Sequence, residues 1–175
     1  MGLATLAGMP ARAAQDDPRL PRLLAALRVA QSVGWAKAIE GEIIHIWSES
    51  ADTETEHLME TGLTAMAEDE DDAALKAFDA AVARSPSLAA GWSQRSAVEY
   101  LLGDYKASVA DAQRALQLEP RNFVAFANLG RAQMALGDRA AALKAFTAAL
   151  ALDPHLDDAA DAVERLKKEA GNNPA

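Results

Sequence analysis

The side chains best suited to metal or acid–base chemistry are three histidines at widely separated positions, His45, His57 and His155. His45 and Glu49 are four residues apart, a spacing that places both on one face of a helix, where they could share an ion. A zinc site needs three or four protein ligands, and no further ligand recurs near this pair at a suitable spacing. We therefore interpret the pair as the polar edge of an amphipathic helix and expect no bound metal.

The other group with chemical potential is an acidic run at residues 68–72. It lacks the glycine and the alternating oxygen ligands of a calcium-binding loop, so we interpret it as a solvated loop. The sequence contains no cysteine, which excludes a thiolate nucleophile and a disulfide scaffold. The serines lie in no nucleophile-elbow motif, and no glycine-rich phosphate loop is present. We predict that the protein is not an enzyme and needs no cofactor.

The elements that carry these side chains recur with a fixed period. Pro86, Pro120 and Pro154 are each 34 residues apart, and the dipeptide Gly103-Asp104 returns as Gly137-Asp138. A period in this range predicts a stack of repeated supersecondary units. Within a unit, a Gly-Asp dipeptide suits the end of one helix and the start of the next, and the proline separates neighbouring units. Other columns of the same period are Leu58, Trp92 and Phe126, and Ala81, Ala115 and Ala149.

This pattern resembles the tetratricopeptide repeat. Residues 123–156 match its motif best, whereas residues 55–88 and 89–122 depart from it further; all three lack the motif's usual aromatic residue, at Ala65, Glu99 and Gln133. In the second unit Arg95-Ser96 replaces leucine-glycine, and Ala112 replaces an aromatic residue; in the first, Thr61 replaces leucine and Asp69 replaces the glycine between the helices. The matching residues are Leu58, Gly62, Ala74, Phe78, Ala81 and Pro86, then Trp92, Gly103, Tyr105, Ala115 and Pro120, then Phe126, Leu129, Gly130, Ala142, Phe146, Ala149 and Pro154.

The resemblance implies an all-α protein, an α-solenoid coiled as a right-handed superhelix of three helical hairpins, 55–88, 89–122 and 123–156. Residues 157–170 are expected to form a capping helix over the apolar face of the last repeat. Gly171 should end that helix, and residues 171–175 should fray.

Residues 14–54 are predicted to form a lead-in and a helical hairpin, with helices at Pro21–Gln31 and Trp35–Glu49. The hairpin fits either a degenerate extra repeat or an N-terminal cap. Trp47 falls in the column occupied elsewhere by alanine, so we do not count the hairpin as a repeat.

The first 13 residues resemble the end of a bacterial secretory signal. A short apolar run, residues 2–9, precedes Ala11-Arg12-Ala13, which fits an A-x-A cleavage pattern. We therefore expect a periplasmic protein; the alternative is a cytoplasmic protein with an alanine-rich tail. No apolar stretch reaches 18 residues, so no transmembrane insertion is expected.

The charge of the chain bears on its partners. A formal net charge of −9 argues against nucleic-acid binding, which requires clustered Lys and Arg. Residues 55–88 carry eight acidic residues against two basic ones, whereas 89–122 carry four of each. This gradient fits a partner with a basic segment, or serves only solubility.

If the chain follows the family, the first helix of each unit lines a concave groove that holds a peptide or protein segment without catalysis. Asn128 and Arg131 suit the carboxylate-binding clamp of one family branch, but Glu56 and Glu60 stand where that clamp needs cations. The alternative function is a structural or assembly subunit that forms a homo-oligomer through Trp35 and Trp47. The candidate partner-binding residues are Glu56, Met59, Glu60, Leu63, Ser93, Gln94, Ala97, Tyr100, Leu101, Asn128, Arg131 and Met134.

Overall fold

The structure is a computed structural model that describes residues 15–50 and 52–172. All regular secondary structure within these residues is helical, which confirms the predicted all-α class. The predicted leader, residues 1–13, lies outside the described part. The helices are α1 (Leu20–Arg28), α2 (Val33–Ser48), α3 (Thr53–Ala67), α4 (Asp71–Arg84), α5 (Ala89–Leu101), α6 (Tyr105–Leu118), α7 (Phe123–Ala135), α8 (Arg139–Leu152) and α9 (Asp157–Asn172).

The turn between the two helices of each repeat has the same backbone geometry. Asp69, Gly103 and Gly137 have φ values of 58°, 83° and 84°. This left-handed conformation favours glycine, and aspartate is among the few other residues that tolerate it. After each of these residues, a backbone N–H donates to a carbonyl oxygen five positions earlier, at 2.8–2.9 Å. The substitution of Asp69 for glycine therefore leaves the turn intact.

The two helices of a repeat approach closely because small residues face large ones. A methyl carbon placed on Gly130 would lie 2.8 Å from ring carbons of Phe146, and one on Gly62 would lie 2.6 Å from Phe78. The middle repeat has Ser96 at the glycine position and Ala112 at the aromatic position, both fully buried. The two departures from the motif thus compensate for each other, since a larger residue on one helix faces a smaller one on the other.

The departure at Arg95 also has a structural partner. Its guanidinium donates to Asp111 at 2.5 and 3.0 Å and to Asp79 at 2.8 Å, and lies 4.9 Å from the ring centroid of Trp92. Glu99 lies 3.8 Å from the same guanidinium, and its Oε2 is buried with no hydrogen-bond partner among the described residues. Burial, and then the charge of Asp111, raise the pKa of Glu99 from 4.5 to about 7.

We expect Glu99→Gln to stabilise the fold at pH 8 by about 2 kcal/mol and to have little effect at pH 4. The pKa of this carboxyl is higher in the folded state than in the unfolded chain. Its stabilising contribution is therefore complete below pH 4.5 and is lost as the pH rises through about 7. Urea unfolding of both proteins at several pH values measures the difference. An equal shift at pH 4 and pH 8 would contradict the titration of Glu99.

The three repeats are arranged with α3, α5 and α7 on the inner side of a curved stack. α5 packs against both α3 and α7, whereas α4, α6 and α8 make no comparable contact with one another within the described chain. Helices on the shorter, concave side of a curved stack lie closer together. The end of the stack that the third repeat forms is covered by α9, whose Ala159, Val163 and Leu166 pack on Phe146 and its neighbours.

The structure corrects three predicted helix boundaries. α1 ends at Arg28 rather than Gln31, and α2 begins at Val33, where the Ser32 hydroxyl accepts a hydrogen bond from the Trp35 N–H. α9 continues through Gly171 to Asn172, because one helical glycine costs only about 1 kcal/mol and does not by itself end a helix.

The N-terminal hairpin, α1–α2, is not an additional layer of the stack. In an extra repeat, α2 would pack on α3 as α4 packs on α5; instead, α2 packs mainly on α5, and α1 contacts α8. The extra-repeat alternative is therefore wrong. Trp47 is too large for the close helix contact that alanine permits in the repeats, and it packs instead on Phe123, with ring centroids 5.3 Å apart.

Within the described residues, no helix is long and apolar enough to cross a membrane.

Candidate functional site

An open cavity of about 690 Å³ lies between α2 and the inner face of α3. Met59, which is buried, and Leu63, which is 40% exposed, provide its apolar surface. The remaining lining is mostly polar and includes four glutamates but no lysine or arginine. The lining residues are His45, Ser48, Glu49, Glu56, Met59, Glu60, Leu63, Thr64, Ala67 and Glu68.

The negative charge of this cavity is only partly compensated. Glu49 lies 3.7 Å from Arg19 and 3.6 Å from His45, and Glu56 accepts a hydrogen bond from the Ser50 N–H at 3.3 Å. Glu60 and Glu68 form no salt bridge with any residue that the structure describes. A cationic group of a ligand would therefore find carboxylates without a protein counterion.

The start of α3, which carries Glu56 and Glu60 of the cavity, is fixed by Asp52. The Asp52 carboxylate accepts hydrogen bonds from the Thr55 N–H and hydroxyl at 3.1 and 2.6 Å and from the Arg84 guanidinium. These donors, Arg84 above all, hold the pKa of Asp52 well below its ordinary value. The carboxylate thus caps α3 and ties it to α4.

Four of the predicted partner-binding residues, Glu56, Met59, Glu60 and Leu63, line this one cavity. The residues predicted on α5 are placed differently. Helix α2 lies over Ser93 and Gln94, and Ser93 is only 2% exposed. Ala97 is half-buried, and Leu101 is 56% exposed. Tyr100 packs on Tyr105, with ring centroids 5.5 Å apart.

The predicted residues on α7 are engaged in contacts within the protein. The Asn128 side chain is buried and donates to the main-chain oxygen of Ser93 at 3.0 Å. Arg131 donates to the side-chain oxygen of Asn128 at 3.1 Å and lies 3.7 Å from Asp158. Met134 packs with α9, and its sulfur accepts a hydrogen bond from the Arg165 guanidinium at 3.3 Å. The twelve residues are therefore not one continuous surface.

Sequence reasoning missed the second wall of the cavity, which consists of His45 and Ser48 on α2 and Glu49 directly after it. The spacing of His45 and Glu49 correctly indicates a polar helix edge, but it contains no information on the surface opposite. Among the residues that the structure describes, no three His, Asp or Glu side chains are placed to hold a metal ion.

Comparison with known proteins supports the family seen in the repeats. The profile of the tetratricopeptide repeat matches residues 123–156. A TPR repeat-containing protein of Rhizobium etli is 30% identical over 164 residues, which cover 92% of this chain and 80% of that protein. The Hsp70-Hsp90 organizing protein of Triticum aestivum is 33% identical over 97 residues, 55% of this chain but only 17% of that protein.

A solved structure shares the same fold. The second TPR domain of human RPAP3, determined in complex with the Hsp70 peptide SGPTIEEVD, superposes with a TM-score of 0.62. The match covers 66% of this chain and 96% of that domain, at 21% identity. With three helical hairpins in phase, a matching repeat profile and a bacterial relative aligned over most of both chains, this chain belongs to the tetratricopeptide repeat family.

Proposed function

We propose that the protein is a non-catalytic interaction module that holds a peptide or protein segment in the cavity between α2 and α3. The segment carries a basic side chain next to an apolar one. The observation that carries this proposal is the lining of the cavity, where Glu60 and Glu68 have no counterion among the described residues and lie beside the apolar Met59 and Leu63. A groove that is formed before binding lowers the ordering cost of the complex on the receptor side.

The charge of the cavity favours a ligand unlike that of the solved neighbour. The Hsp70 peptide bound to the human domain contains two glutamates and a C-terminal aspartate. In this chain, Glu56 and Glu60 would repel such a segment, whereas they would attract lysine or arginine. We therefore propose that this protein uses the inner face of the repeats, as the family resemblance implies, but for a ligand of opposite charge.

Reversing the charge of the cavity is expected to reverse its preference. We expect the double variant Glu56→Lys and Glu60→Lys to bind a fluorescein-labelled nonapeptide of alternating lysine and leucine at least about tenfold more weakly than the wild type does. It should bind the corresponding glutamate–leucine peptide more tightly. Fluorescence anisotropy at physiological ionic strength measures both affinities, and urea unfolding checks that the fold is retained.

The matched control is Asp161→Lys with Glu164→Lys, which changes the net charge equally on the exposed face of α9. This control should retain the wild-type preference for the lysine peptide. An equal loss in the control would indicate attraction by net charge alone, and unchanged binding in the Glu56/Glu60 variant would remove the acidic cavity as the contact.

An assembly role through the hairpin is the second candidate. It is favoured by Val29, Val33 and Trp35, three apolar residues close together in sequence that are 66%, 61% and 49% exposed. The predicted second contact, Trp47, is 2% exposed within a single chain and is not available to a neighbouring copy. Sedimentation velocity over a range of concentrations separates the two functions, because a concentration-independent monomer removes the assembly role.

We further propose that the protein acts in the bacterial periplasm. The proposal is supported by the apolar run and the Ala11-Arg12-Ala13 pattern. Mass spectrometry of the protein recovered from native cells tests it. A mature N terminus at Ala14 would support export, and an intact leader on protein in the cytoplasmic fraction would contradict it.

A further inference from the structure

The C-terminal half of α2 lies across the N-terminal parts of α5 and α7. Trp47 packs on Phe123, and Ile44 and Ser48 complete the surface that α2 presents. Between α2 and the two helices α5 and α7 there remains a void of only about 10 Å³. The residues of α5, α7 and the preceding turn that surround it are Ala90, Ser93, Gln94, Asn122 and Val124.

The buried residues of α2 follow the pattern of a helix bound in a groove. Ile39 is buried where α2 faces α1. Ile44 and Trp47, three residues apart on one face of α2, line its contact with α5 and α7, and Trp47 is 2% exposed. Helical ligands of receptor grooves place their apolar anchors at this spacing. The inner face of α5 and α7 is therefore complementary to an amphipathic helix, and α2 shows which side chains fit it.

Three hydrogen bonds in the described structure tie residues 15–28 to the repeats, all at one repeated position. Ser87, Arg121 and His155 are successive members of a column with the 34-residue period. The Gln15 side chain donates to the Ser87 main-chain oxygen at 3.0 Å, and Arg121 donates to the Gln15 main-chain oxygen at 2.7 Å. His155 Nε2 donates to the Leu27 main-chain oxygen at 3.2 Å. Each of these bonds is at least partly exposed, so water replaces it when the hairpin detaches.

The interface also contains groups that the hairpin leaves unsatisfied. Within the described residues, Trp47 Nε1 and the Ser93 hydroxyl are buried without a hydrogen-bond partner. Glu40 of α2 lies near Asp153 and Asp157, and burial, together with these carboxylates, raises its pKa against the opposing effects of His155 and Lys37. Unpaired buried polar atoms and facing like charges both lower the stability of a contact. The hairpin therefore fits the surface in shape but incompletely in polar pairing.

We infer that the inner face of α5 and α7 is a helix-binding surface, and that the α1–α2 hairpin is its exchangeable resident. The partner that fits this surface is an amphipathic helix with an apolar residue at i and a large aromatic residue at i+3. Such a helix, supplied by another protein, competes with α2 for the contact with Phe123. The residue pattern of α2 and its close packing on the repeats define this partner.

The inference is tested on the full chain with the α2 segment itself as the probe. The probe is a fluorescein-labelled synthetic peptide of residues 32–49, used with the wild type and with Trp47→Ala. The variant weakens the resident hairpin, while the peptide retains its own Trp47. We expect the peptide to bind the variant at least tenfold more tightly than the wild type, because a resident helix reduces the fraction of molecules with a free surface.

Trp35→Ala is the matched control, since Trp35 is a tryptophan of the same helix that is half-exposed and lines a groove with residues of α1. It should bind the peptide as weakly as the wild type does. Ile44→Asp is a second variant that disturbs the same contact, and far-UV circular dichroism checks that the repeats remain helical in both variants. Equal binding to all four proteins would overturn the inference.

Two further measurements distinguish binding at this surface from binding in the acidic cavity and from binding of a second copy of the chain. The peptide contains three glutamates and one lysine, so Glu56→Lys with Glu60→Lys should not weaken its binding, in contrast to the lysine–leucine peptide. Sedimentation of the wild type should show no dimer. A dimer abolished by Trp47→Ala would assign the surface to a second copy and overturn the partner proposed here.

Discussion

Gly130→Ala is expected to destabilise the protein by about 3 kcal/mol. The added methyl carbon would lie 2.8 Å from two ring carbons of Phe146, which is 2% exposed and enclosed by α9. Because the ring is buried and packed against α9, we expect the methyl group to push α7 and α8 apart. Urea unfolding monitored by circular dichroism measures the loss.

A double-mutant cycle tests the physical cause. Gly130→Ser with Phe146→Ala reproduces in the third repeat the pair that Ser96 and Ala112 form in the second. We expect the double variant to be more stable than the sum of the two single changes by about 1–3 kcal/mol, because the serine enters the space that the phenyl ring leaves. Strict additivity would show that the two positions do not share one packing site.

Gly41→Ala is the control for the loss of glycine itself. A methyl carbon on Gly41 meets no atom within 4 Å. This variant should gain up to about 1 kcal/mol, because alanine favours the helix more than glycine does. A loss similar to that of Gly130→Ala would mean that close contact with Phe146 is not the reason for the glycine in the repeats.

Arg95→Met is expected to destabilise the protein by about 3–5 kcal/mol at pH 8. The substitution retains an apolar chain of similar length but removes the cation shared by Asp79, Asp111 and Glu99. The side chain of Asp111 is only 8% exposed, so its charge would remain buried beside Glu99 without compensation. Chemical unfolding at pH 8 and at pH 5 measures the effect. The loss should be smaller at pH 5, where Glu99 is protonated.

Arg114→Met provides the matched comparison. Arg114 also lies over the Trp92 ring, 6.0 Å from its centroid, but it is exposed, and the described structure gives it one hydrogen bond, to Gln117. We expect a loss of no more than about 0.5 kcal/mol. Equal losses from both variants would assign the effect to the tryptophan contact instead of the buried carboxylates.

The repeat unit was largely predictable because its determinants are local. The period of the prolines indicates the unit length, and the left-handed turn at Gly103 and Gly137 follows from the backbone freedom of glycine. Even the departures at Ser96 and Ala112 are a matched pair on the two helices of one hairpin. They appeared as two independent mismatches because a motif scores each position separately, whereas helix packing depends on the sum of two facing volumes.

The site was predictable only in part. Glu56, Met59, Glu60 and Leu63 were placed on the inner helix face by the family resemblance together with the 3.6-residue period, and they line one cavity. The tertiary structure alone decided what faces them. Helix α2 returns over α5, covers Ser93 and Gln94, and provides His45 and Glu49 as the second wall. The sequence by itself determined the helices, their turns and their small-residue contacts, since these depend on residues close in the chain or one period apart. The position of the hairpin depends on the fit between two surfaces far apart in sequence, so only the folded chain decides it.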